Sequence, residues 1–114
     1  THIGFKYPTF SDLMKKGLIL RYDEYTAYSM LEEMLKSQGK FHATILDKRV
    51  GLWVLKNQNW KNDLEMTEKD IDENHYKIIF SPRWKEFVPK FNQSLLEMKE
   101  NGKLDLLVNK YLYK

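Results

Sequence analysis

The chain has 114 residues, 42 % of them apolar and 14 % aromatic, enough to build a core and too hydrophobic for intrinsic disorder. It holds no cysteine, which excludes a disulfide framework, a thiolate metal site and a cysteine nucleophile. Its net charge of +3 carries no Lys/Arg cluster interleaved with aromatics on one helix face, so nucleic acid is not an expected partner. Six of the 16 acidic residues sit in residues 63–73, where Asp63, Glu65, Glu68, Asp70, Asp72 and Glu73 accompany one Lys69. No apolar run approaches the ~20 residues of a membrane helix, and the first residues show no signal-peptide pattern.

In chain order, residues 3–6 form a short strand candidate, followed by the loop Tyr7-Pro8-Thr9-Phe10-Ser11 and a helical stretch over 12–16 closed by Gly17. Residues 18–22 read as a second strand. Ala27, Met30, Leu31, Met34 and Leu35 then fall at i, i+3, i+4, i+7 and i+8, the clearest helix of the chain. Asp23 is a candidate cap for its start, and Gly39 suits a left-handed cap just beyond its end. Residues 41–46 predict a third strand and 47–56 a third helix.

Residues 57–62 form a polar loop around Trp60, 64–67 a short strand candidate, and 75–80 a firmer strand. Ser81-Pro82 starts a helix in the usual N-terminal manner, and Pro89 implies a kink or a restart. Val88, Phe91, Leu95 and Met98 make one apolar stripe that Asn101-Gly102 ends; Leu104, Leu107, Val108, Tyr111 and Leu112 make another. Strands alternating with helices predict an α/β fold, a mostly parallel sheet with helices on both faces. The chain reads as one domain, with 1–74 as its first segment and 75–114 as a strand and two C-terminal helices. Residues 3–6 would be central, beside both 18–22 and 41–46.

In such a sheet ligands bind beyond the carboxyl ends of the strands. The 7–11 loop opens a helix there, so free N–H groups and the hydroxyls of Thr9 and Ser11 suit an anion. Asp47 follows the third strand at the same edge, where its carboxylate suits an ammonium. Together they fit a zwitterion such as an amino acid. The same residues also suit plain N-cap roles. His2, His42 and His75 have no metal-ligand spacing, and residues 70–81 lack the glycine and final acid of a calcium loop. No metal, cofactor or catalytic constellation is expected, and the chain is not read as an enzyme.

Gly39-Lys40-Phe41-His42-Ala43-Thr44-Ile45-Leu46-Asp47 resembles the G-[KR]-x-D-A-x-x-x-D strand of extracytoplasmic solute-binding proteins, the polar-amino-acid type of ABC importers. Residues 75–80, Phe91-Asn92, Leu95, Asn101-Gly102-Lys103-Leu104 and Lys110-Tyr111 resemble that family's C-terminal end, and Ile3-Gly4-Phe5-Lys6 the first strand of its second lobe. Two positions depart from the pattern: Tyr7-Pro8-Thr9-Phe10 stands in place of a small Gly-Ser/Thr loop, and His42 in place of an aspartate. The resemblance implies a non-catalytic clamp for a small polar solute, in a periplasmic or extracytoplasmic setting, with an ABC permease as partner or, in the alternative, a sensor. It also implies that Thr9 and Ser11 meet the ligand's carboxylate region, that Asp47 holds its ammonium, and that the first lobe is missing, as in a fragment or a truncated relative. The stripes of the last two helices would then lack a cover, so a homodimer through the C-terminal helices is expected.

Overall fold

A computed structural model describes residues 1–113. About half of the chain is helical, and no strand ladder forms among the described residues. The helices are α1 (Ser11–Lys15), α2 (Ala27–Lys36), α3 (Lys48–Asn57), α4 (Val88–Glu100) and α5 (Lys103–Val108), with 3-10 turns at Pro8–Phe10 and Pro82–Phe87 and a π-helical end at Asn109–Tyr113. Internal contacts divide the chain into two compact units, Thr1–Asp72 and Glu73–Lys114.

In the first unit, α2 and α3 form where the apolar spacing predicts helices. Thr26, not Asp23, caps α2: its hydroxyl accepts from the Ser29 N–H at 3.0 Å, and the Ser29 hydroxyl accepts from the Thr26 N–H at 3.2 Å. This reciprocal arrangement satisfies two donors that a helix start otherwise leaves unpaired. Leu31 of α2 packs with Val54 and Leu55 of α3, and Ala27, Leu46, Trp60, Leu64 and Met66 close around them. Each side chain fully buried in this way contributes about 1.5–3 kcal/mol relative to exposure. Gly51 lies buried in α3, where an added Cβ would sit 2.7 Å from Leu46 Cδ1. The missing side chain is what lets Leu46 reach the helix.

The expected α/β sheet is absent, and local geometry says why. Within 3–6, Gly4 takes φ +77° and the Phe5 N–H turns back to the His2 carbonyl at 3.2 Å, so the segment is a turn rather than an extended strand. The N–H groups of Leu18 and Ile19 both point to the Leu13 carbonyl, at 2.9 and 3.3 Å, and finish α1 instead of pairing with a neighbouring strand. The Arg21 guanidinium occupies the carbonyls of His2 and Phe5 at 3.1 and 2.9 Å. A side chain therefore fills acceptors that a central strand would offer to the next one. What remains of parallel pairing is one isolated bridge between His2 and Glu24, with Ile3 N–H on the Glu24 carbonyl and Glu24 N–H on the Thr1 carbonyl, both at 2.9 Å. Residues 41–46, 64–67 and 75–80 carry no ladder either.

In the second unit, Pro89 occupies the first turn of α4, where its missing N–H costs nothing. The chain restarts there after the 3-10 turn. Val88, Phe91, Leu95 and Met98 are half-buried on one face of α4, and Gly102 at φ +75° turns the chain into α5. Leu104 and Val108 are half-buried and Leu112 is buried, whereas Leu107 and Tyr111 of the second stripe remain exposed.

Candidate functional site

The loop singled out for an anion does border a concavity, but its chemistry differs from the expectation. Helix α1 has five residues and no side-chain N-cap, since Phe10 stands at that position. So short a helix supplies little dipole. The positive character comes from side chains instead. Lys6, Tyr7, Pro8, Ser11, Met14, Lys15 and Arg21 line an open hollow of about 620 Å³, within the roughly 300–1,000 Å³ usual for small-ligand sites. Ser11 and Lys15 stand one helical turn apart, which puts both on the same face of α1.

Hydrogen bonds and one cation–π contact fix the frame of this hollow. The Tyr7 hydroxyl accepts from the His2 N–H at 2.7 Å. The Ser11 hydroxyl donates to the Pro8 carbonyl at 3.1 Å, which leaves its oxygen lone pairs on the acceptor side. Arg21 stacks its guanidinium 5.2 Å from the Tyr7 ring centroid and donates from Nε to Asp23 Oδ1 at 2.7 Å. The Thr1 hydroxyl reaches the same Asp23 oxygen at 2.7 Å. That bond first, and Arg21 second, hold the Asp23 carboxyl below its ordinary value. Arg21 is thus partly neutralised and braces the fold, while Lys6 and Lys15 form no ion pair among the described residues. These two are the cations a ligand would meet.

The three residues expected at the site separate. Ser11 lines the hollow. Thr9 is exposed on the same loop but outside the lining, and Asp47 does not line it either. Asp47 is the N-cap of α3, its Oδ1 accepting from the Val50 N–H at 3.0 Å. Sequence reading missed Lys6, Lys15 and Arg21. Lys6 adjoins the loop, and Lys15 follows Ser11 by four residues, a helical spacing that could have revealed it. Arg21 gives no such signal, because only the turn at residues 3–6 brings it alongside.

A second concavity lies in the other unit. Residues of 76–82 and of the α4 start, among them Lys77, Ile78, Phe80, Val88, Phe91 and Leu95, line a groove of about 750 Å³. Its walls are apolar and aromatic; Phe80 meets Phe91 edge-on at 5.4 Å between centroids. Among the described residues, no three His, Asp or Glu side chains converge as metal ligands, and no helix is long and apolar enough to cross a membrane. No protein-family model matches the chain, and neither the curated proteins nor the solved structures contain a match to it.

Proposed function

We propose that the first unit binds a small anionic polar solute in the Lys6–Ser11–Lys15 hollow and performs no chemistry on it. The observation that carries this reading is the meeting of two unpaired lysines in one open hollow with Tyr7, Pro8 and Met14 as apolar walls. A carboxylate fits that combination, because its oxygens take charged hydrogen bonds while the aliphatic part lies against the walls. The motif resemblance to solute-binding proteins points to an amino acid as the solute, delivered to an importer permease in an extracytoplasmic compartment. The sheet-based two-lobed clamp belonging to that family is no part of the proposal. In this reading Thr9 flanks the anion end, and Asp47 is the candidate for an amino acid's ammonium.

Titration of isotopically labelled chain with glutamate, succinate and glycine, followed by amide shifts, tests the reading. Glutamate and succinate should shift residues 6–15, and Lys15→Gln should weaken both about ten- to hundredfold, the value of one charged hydrogen bond of ~1.5–3 kcal/mol. Unshifted spectra at millimolar solute, or equal binding by the Lys15→Gln variant, overturn it. Asp47→Asn keeps a good N-cap, so a loss confined to glutamate would assign the ammonium to Asp47.

A further inference from the structure

The groove of the second unit is polar at one end of its floor and apolar along the rest. Pro82, Lys85 and Val88 follow at the three-residue spacing of the 3-10 turn, and Val88, Phe91 and Leu95 at the i, i+3, i+7 spacing of one face of α4. The apolar part, from Val88 to Leu95, is about 10 Å long at the α-helical rise. Ser81 and Lys85 precede it, and Lys77 also joins the lining. Phe80 is held against this floor by edge-on contacts with Phe91 and Phe87, at 5.4 and 5.9 Å between centroids. Ile78 adds apolar lining that is 63 % exposed. Among the described residues no acidic side chain lines the groove. Residues 76–95 hold Lys77, Arg83, Lys85 and Lys90 against one acid, Glu86, which stays outside the lining. Neither Lys77 nor Lys85 enters an ion pair among the described residues.

We propose that this groove binds a medium-chain amphiphilic carboxylate, its chain along Val88, Phe91 and Leu95 and its carboxylate at the Ser81–Lys85 end. Size and charge select this occupant. The volume of about 750 Å³ is that of a small-ligand site. An apolar chain laid on the α4 stripe removes Ile78, Phe80 and the stripe itself from water. The carboxylate takes a charged hydrogen bond from the Lys85 ammonium. The Ser81 hydroxyl, which makes no cap bond of its own, is a second donor. A cationic amphiphile of the same length would meet two lysines with no acid to offset them. The same groove of a second copy would bring its own lysines and meet like charge with like. A lipid surface would leave the concave floor unfilled. The site lies outside the hollow of the first unit and does not depend on a solute there.

Amide-shift titration of the labelled full chain with submicellar decanoate, decanol and decyltrimethylammonium tests the proposal. Decanoate should shift residues 76–95. Decanol should bind the same residues about tenfold more weakly, the value of one charged hydrogen bond, and decyltrimethylammonium should leave them unshifted. Lys85→Gln should weaken decanoate by the same factor and leave decanol unchanged, a split that a merely structural lysine would not produce. Ile78→Ser should weaken decanoate and decanol alike. Equal affinity for decanoate and decanol, binding of the cation, or wild-type decanoate affinity in Lys85→Gln overturns the proposal. So do unshifted spectra at millimolar decanoate, and shifts confined to residues 6–15, which would place the carboxylate in the first unit. Shifts that require phosphatidylglycerol vesicles would assign the groove to a membrane surface. Resonances of 76–95 that move with protein concentration alone would assign it to a second copy. Either result overturns the proposal as well. If circular dichroism shows that Lys85→Gln has lost its helices, the three probes on the wild type decide alone.

Discussion

Asp47 illustrates how one residue can satisfy two readings that only a measurement separates. Its Oδ1 holds the Val50 N–H at 3.0 Å, which is the cap the sequence admits as readily as a ligand contact. Asp47→Ala should therefore destabilise the first unit by about 1 kcal/mol, the usual cost of losing a side-chain cap, while Asp47→Asn should cost little. Urea denaturation followed by far-UV circular dichroism checks this, and an unshifted midpoint for Asp47→Ala would show that the cap contributes nothing. Arg21 is the opposite case. Its bonds to the His2 and Phe5 carbonyls and its stacking over Tyr7 reach residues 14 or more positions away, and only its pair with Asp23 is local. No local pattern announces them, and the hollow owes its shape to them.

At the level of elements, helices and strands fared differently for a physical reason. A helix satisfies its own backbone within four residues and announces its buried face by spacing; Ala27, Met30 and Leu31 give α2, and Thr26 with Ser29 closes its start. A strand is satisfied only by a neighbour, so an apolar run is a candidate and no more. In residues 3–6 and 18–22 the backbone groups went to a glycine turn, a helix end and a guanidinium. Gly51 is the element-scale feature easiest to test. Its bare Cα admits Leu46 to α3, so Gly51→Val should force that contact apart and lower stability by roughly 1–3 kcal/mol, the range for overpacking a core. Thermal unfolding gives the answer, and an unchanged or raised midpoint would show that Leu46 yields without loss.

Across the whole molecule, the two units are joined through a stretch that no regular element protects. Residues 67–79 are exposed throughout and lie outside every helix, so their backbone opens at almost no cost. Limited trypsin digestion should cut first at Lys69, releasing fragments that correspond to the two units. Initial cleavage inside α2 or α3, read by mass spectrometry, would contradict that division. The sequence by itself determined where the helices lie and that an acidic stretch precedes the second unit. Those features rest on interactions spanning a few residues: i to i+4 bonds and a proline in a first turn. The tertiary structure alone decided that no sheet forms among the described residues and that Lys6 and Lys15 with a braced Arg21 surround the loop. Each of these depends on which distant group takes a backbone carbonyl or N–H first, and periodicity carries no record of that competition.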